Sequence, residues 1–205
     1  MAEPTVLRNA ERMKFFTDAV VAIAMTLLIL PLLDSVSAAA EEGLGTADYL
    51  SENGSQLFAF VLSFVIIARF WYSHEKLFSP VERWTGTLML LNVGWMLTIV
   101  FLPVTTAMVG LMKTDRLQIA VYVGTMLVSS LILGAMTVVV RRHPETWSGE
   151  VGPSKGEVAG AVAVVVLFAL ALLVALVVPG AGYLPLLLLL LSNPLEAVLE
   201  RRMPG

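Results

Sequence analysis

The side chains able to do chemistry in this sequence are few, and most stand near one end of its apolar segments. Asp18 opens a run of Val, Ile, Leu, Met and Ala that reaches Leu33, with Thr26 as the lone hydroxyl near its middle. An ionisable group at the edge of an apolar helix is a functional candidate by default, a structural ion pair being the ordinary alternative. Arg12 lies six residues earlier and therefore on another face of the same helix, so a partner from a different segment is expected. Trp71 and His74, three residues apart, share a face where the second apolar run ends, and Asn92 stands about two turns into the third. At matching depth, Arg12, Asp18, Trp71, His74 and Asn92 are expected to form one buried polar network that holds the first three segments together. Trp71 equally fits a ring settled at a membrane interface, and His74 a solvated interfacial residue.

The opposite side of the first run is aliphatic. At 100° per residue Ile23, Leu27 and Leu30 fall within about 60° of one another, and Thr26 about 60° to the other side of Ile23. Packing or lipid contact is the ordinary account of such a ladder, with the Thr26 hydroxyl bonded to a carbonyl one turn back. Asp18 projects about 140° away from Ile23, toward neighbouring helices if the Ile23 face lines something else.

Other chemistries lack their residues. The chain has no cysteine, and neither His74 nor His143 has companions at ligand spacing, so no metal site or cofactor is expected. Ser63, Ser129 and Ser130 have no base at local spacing, and the dense acids fall in one connection, read as a flexible loop. An enzyme is therefore the poorest fit.

The elements that must position these residues follow from composition. Of 205 residues 58% are hydrophobic and 14% charged, against roughly 25% charged in ordinary globular chains. That balance predicts an all-α, polytopic membrane protein, with nothing suggesting a nucleic-acid partner. Six runs approach the roughly 20 apolar residues that span a hydrocarbon core about 30 Å thick: 14–33, 54–73, 86–109, 117–140, 157–178 and 183–199. They form a single bundle over 1–205, and the fifth and sixth make a hairpin across the tight reversal "VVPGAGY". A five-span arrangement with the last run in the interface is the competitor. The first run is too long, and ends in the wrong residues, for a cleaved signal peptide. Of the 13 basic residues only Lys113 and Arg116 fall on one side of this arrangement, which predicts both termini in the cytoplasm. The outer connection after the first span holds Asp34, Glu41, Glu42, Asp48 and Glu52 and no base. Such a surface draws cations, although a merely solvated loop has the same composition.

Arg12, Phe16, Thr17 and Asp18 followed by "AVVAIAMTLLIL" resemble the R-x-x-x-F-S/T-D opening of the first helix in bacterial homologues of the lysosomal potassium channel family, transmembrane protein 175. "FWYSH" with Phe78 resembles that family's second-helix W-x-x-H pattern, and Asn92 followed by "LPVTT" around Pro103 resembles its third helix. The likeness is strongest over 12–106. It implies a potassium-permeable channel in the cell membrane, a homotetramer of six-helix subunits with each first helix lining a central pore. It further implies a constriction at Ile23, Leu27 and Leu30, a selectivity layer at Thr26, and a cytoplasmic-side network that includes Arg12, Asp18, Trp71 and His74. Two departures stand out: Thr17 replaces the commoner serine, and Pro31 interrupts the outer end of the first helix, where it removes a backbone hydrogen bond. No T-V-G-Y-G-like carbonyl filter is present. The rival function is a proton-coupled carrier or proton pathway in which Asp18 and His74 exchange protons. A purely structural or assembly role is the remaining alternative.

Overall fold

A computed structural model describes residues 8–147 and 154–202. Beyond two short strands, the described chain is helical: β1 (Arg8–Asn9), α1 (Glu11–Leu27), α2 (Leu30–Glu41), α3 (Thr46–Glu52), α4 (Gly54–Phe78), β2 (Arg83–Trp84), α5 (Gly86–Leu111), α6 (Arg116–Arg142), α7 (Lys155–Val177) and α8 (Ser192–Arg202), with 3-10 segments at Pro144–Thr146 and Leu184–Leu191. Among the described residues five helical units are long and apolar enough to cross a membrane: Glu11–Glu41, Gly54–Phe78, Gly86–Leu111, Arg116–Arg142 and Lys155–Val177. The polytopic, all-α architecture is thus present.

Helix starts follow local chemistry. The Thr85 hydroxyl accepts the Leu88 amide at the head of α5, and the Asp115 carboxylate accepts the Gln118 amide at the head of α6. Ser154 and Glu157 form a reciprocal capping box on α7. Pro103 stands inside α5 without ending it. Pro31 has a sharper effect. It has no N–H and its ring crowds the carbonyl four residues back, that of Leu27, so helical bonding lapses at Leu28–Ile29 and the Ile29 amide reaches instead to Thr26 O at 3.3 Å.

The sixth expected span, 183–199, is built differently from the other five. Gly180 and Gly182 take positive φ of 80° and 52°, making the reversal after α7. The chain then winds as a 3-10 segment of eight residues, Leu184–Leu191, and runs straight into the 11-residue α8. The two pieces reach about 32 Å end to end, close to a hydrocarbon core's thickness, yet neither is a continuous spanning helix. α8 runs antiparallel to α7, with Glu200 against Gly156 and Glu196 against Gly160. The connection expected to be a flexible acidic loop is also ordered. α2 extends to Glu41, α3 follows, and the Ser35 and Tyr49 hydroxyls join the two at 2.9 Å.

Packing proceeds as a chain of neighbours: α1 on α5 and α4, α5 on α4 and α6, α6 on α7, and α7 on α8. Trp95, Tyr122, Phe78, Ile99, Met126 and Met136 are fully buried at the centre. At one end, β1 pairs antiparallel with β2, the Ala10 amide donates to Glu82 O, and the Glu82 amide donates to Thr146 O. The start of α1 is therefore tied by backbone to the connections that follow α4 and α6.

Candidate functional site

α1 has two unlike sides. Thr17, Val21, Ala24 and Leu28 recur at helical spacing and are buried against the bundle. Ile23, Thr26, Leu27 and Leu30 lie on the far side and are uncovered, with Ile23 58% exposed and Leu30 49%. The Thr26 hydroxyl donates to Ile23 O at 2.8 Å, so its oxygen lone pairs are left facing outward. The lapse in the helix falls between Leu27, the last residue of α1, and Leu30, the first of α2. The aliphatic row is thus split by the Pro31 effect rather than carried by one straight helix.

The polar residues do not form the single network expected of them. They separate into a buried chain and an exposed pair. In the chain, His74 Nε2 meets Asn92 Oδ1 at 2.7 Å, Asn92 Nδ2 donates to Thr17 Oγ1 at 2.8 Å, and Thr17 Oγ1 donates to Met13 O at 2.9 Å. The sense of the chain is fixed from its far end. The one hydroxyl proton of Thr17 goes to Met13 O, so Thr17 accepts from Asn92; the Asn92 amide is thereby oriented with Oδ1 toward His74, and His74 Nε2 carries a proton. His74 is sandwiched by Phe78, at 4.3 Å between ring centroids, and Trp95, at 4.5 Å. All three bonded residues are buried, which satisfies their polar atoms and joins α1, α4 and α5 at one depth.

The exposed pair is Trp71 Nε1 donating to Asp18 Oδ1 at 3.0 Å. It joins α1 to α4 without touching the buried chain. Arg12 is exposed and has no hydrogen bond or ion pair among the described residues. Sequence reasoning placed Asp18, Trp71, His74 and Asn92 near one another, but it missed Thr17 as the link between Asn92 and α1. The available signal was position: Thr17 stands one turn before Val21 on the face that packs inward. His143 lies apart, bonded through Nδ1 to Glu145 Oε1 at 2.8 Å, and no cluster of His, Cys, Asp and Glu suited to a metal occurs among the described residues.

The five acids after the first span, Asp34, Glu41, Glu42, Asp48 and Glu52, are all exposed and lie on α2, on α3 and at the end of α2. Gln56 Nε2 donates to Pro31 O at 2.8 Å, which ties α2 back to α4 just beyond the lapse. The first helix is thus held at both ends, by the β1–β2 pair and the His74 chain at one and by Gln56 at the other, while the face between is open.

Such a bundle, with one helix packed on one side and bare along an aliphatic row on the other, is a polytopic α-helical membrane protein with an unfilled lateral surface. The family model described as endosomal/lysosomal potassium channel TMEM175 matches residues 12–103. A Streptomyces collinus protein described as a potassium channel is 33% identical over 134 residues, covering 63% of this chain and 64% of that one. A zebrafish protein described as an endosomal/lysosomal proton channel TMEM175 is 25% identical over 150 residues, which span 73% of this chain but only 28% of the fish protein. The crystal structure of a lysosomal potassium-selective channel TMEM175 homolog from Chamaesiphon minutus superposes with a TM-score of 0.59 at 22% identity, over 94% of each chain. Residues 12–103 are thus similar to the TMEM175 family, and the fold over 94% of the chain is that of its Chamaesiphon homolog.

Proposed function

We propose that this chain is the subunit of a potassium-permeable cation channel in the cell membrane, a homotetramer in which the uncovered face of α1 surrounds a central path. One observation carries the reading. Ile23, Thr26, Leu27 and Leu30 face away from their own subunit while the opposite side of α1 is anchored by buried polar bonds and by the β1–β2 pair. One such helix cannot enclose a path, whereas several copies around an axis can. In this arrangement the rings of Ile23, Leu27 and Leu30 close the path by excluding water, and ions pass when the rings widen enough to leave them partly hydrated. Thr26 supplies oxygen beside the narrowest level. The exposed acids of α2 and α3 raise cation concentration at the outer mouth. Potassium as the permeant ion is supported by the likeness to the potassium-channel family model and to the Streptomyces potassium channel. With this path both termini lie in the cytoplasm and the 3-10 segment with α8 completes six crossings.

A proton pathway has support in the description of the zebrafish relative. A route through Asp18 and His74 has less support: His74 is bonded toward Asn92 and Thr17, that chain ends on a backbone carbonyl, and Asp18 is bonded to Trp71. The test is ion flux from liposomes holding only the purified chain. Potassium efflux faster than sodium efflux, with a proton leak that Asp18→Asn leaves unchanged, is expected. Efflux no faster than from empty liposomes overturns the channel reading.

A further inference from the structure

A cavity of about 410 Å³ lies between α4, α6, α7 and α8, at the end of the bundle where α4 finishes and α7 begins. Ile66, Phe70, Leu133 and Phe168 form an apolar floor toward the middle of the bundle, and the Phe70 and Phe168 rings stack at 5.8 Å. Beside this floor α4 presents Arg69 and, nearer its C-terminus, Lys76, while the facing wall presents Glu157 from α7 and Glu196 from α8.

Two of these four charges are engaged with each other, Lys76 Nζ standing 3.3 Å from Glu157 Oε1. The other two are not. Arg69 Nη2 donates to the neutral Ser192 Oγ at 2.7 Å, and neither Arg69 nor Glu196 has an ion pair among the described residues. α4 is 25 residues long, about 37 Å, so it exceeds a 30 Å hydrocarbon core by only a few ångströms at each end. With α4 upright and centred on that core, Arg69, nine residues before its C-terminus, stands roughly 10 Å inside the apolar region. A guanidinium at that depth is costly unless an anion or water reaches it. The cavity thus offers one cation and one anion, each lacking a charged partner, beside an apolar floor.

We propose that this cavity binds an aminophospholipid, its phosphate on Arg69, its primary ammonium on Glu196 and the start of an acyl chain on the apolar floor. The planar guanidinium suits a phosphate diester, which takes two parallel N–H donors. Glu196 selects the headgroup. A lipid with only an anionic headgroup leaves that carboxylate uncompensated beside a second negative charge, and a quaternary choline has no N–H to donate to it. The proposal goes beyond the channel reading, and its readout involves no ion flux.

The test is native mass spectrometry of the full chain in detergent, titrated with dioleoyl-phosphatidylethanolamine, -phosphatidylglycerol and -phosphatidylcholine, and with soluble phosphoethanolamine. Phosphatidylethanolamine is expected to bind at least about tenfold more tightly than either other lipid, and phosphoethanolamine more weakly for lack of the floor contact. Arg69→Gln should weaken the phosphatidylethanolamine complex about tenfold or more. Because that change also loosens α8 through Ser192, Glu196→Gln is the discriminating variant: it should abolish the preference over phosphatidylglycerol while the chain remains folded. Equal adduct series for all three lipids overturn the proposal. So does a Glu196→Gln chain that melts earlier with its lipid preference unchanged, the signature of Arg69 and Glu196 simply closing on each other.

Discussion

Replacing Asn92 with Ala separates the buried polar chain from the exposed polar pair as anchors of α1. The substitution removes two hydrogen bonds, of 2.7 and 2.8 Å, from a residue with no solvent exposure. It leaves His74 Nε2–H without an acceptor between two aromatic rings, and an unsatisfied buried donor costs about 1–3 kcal/mol. Thr17 keeps its bond to Met13 O and loses only an accepted one. Interhelical hydrogen bonds in membranes average about 0.6 kcal/mol and reach about 1.7, because unfolded helices in the bilayer find other partners. Adding the void left by the amide, Asn92→Ala should destabilise the subunit by about 2–3 kcal/mol. Trp71→Phe removes only the Asp18 bond of a ring that is 39% exposed, and should cost about 0.5 kcal/mol or less. The assay is reversible unfolding of the detergent-solubilised chain by dodecyl sulfate, followed by far-ultraviolet circular dichroism. A cycle of Thr17→Val with Asn92→Ala should give a coupling of about 0.6–1.7 kcal/mol. If Trp71→Phe costs as much as Asn92→Ala, or the cycle shows no coupling, the buried chain is not what anchors α1.

Three further outcomes follow from particular contacts. Pro31→Ala restores an amide that can bond to Leu27 O, so hydrogen exchange over residues 28–33 should slow; unchanged exchange would assign the lapse at Leu28–Ile29 to another cause. A Cβ on Gly110 would stand 3.0 Å from Gln56 Cγ and 3.2 Å from Gln56 Cα, so Gly110→Ala should cost about 1–3 kcal/mol by thermal melting in detergent, and a neutral result would mean α4 and α5 part easily there. Ile23→Asn should wet the proposed constriction and raise resting potassium leak in bilayer recordings; unaltered conductance would remove Ile23 from the path.

The membrane class and the positions of the first five spans were legible because runs of about 20 apolar residues have one stable use. The outward face of α1 was legible as a periodicity, but not its being uncovered, since a lipid face, a packed face and a path-lining face share the same spacing. A shared depth along their helices predicts one network for Asp18, Trp71, His74 and Asn92. Depth does not fix azimuth, and azimuth divides them: Thr17, not Asp18, lies on the face that meets Asn92. The extent of α2, the order in the acidic connection and the 3-10 winding of Leu184–Leu191 were hidden for another reason. Each comes with contacts that sequence neighbours do not supply, such as Ser35 to Tyr49 and Arg69 to Ser192. The Pro31 effect was visible in kind, as a missing N–H, but its displacement to Leu28–Ile29 follows from the carbonyl four residues earlier.

The central claim is that the Ile23 side of α1 borders the ion path, and the absence of cysteine from the chain makes it directly testable. Single cysteines introduced at 23, 26, 27 and 30, and for contrast at 24 and 28, are exposed to a membrane-impermeant, positively charged thiol reagent during potassium flux from liposomes. Modification at 23, 26, 27 and 30 is expected to block flux, while positions 24 and 28 neither react nor respond. Flux untouched by modification of the first four positions, with block arising from any other segment, contradicts that claim.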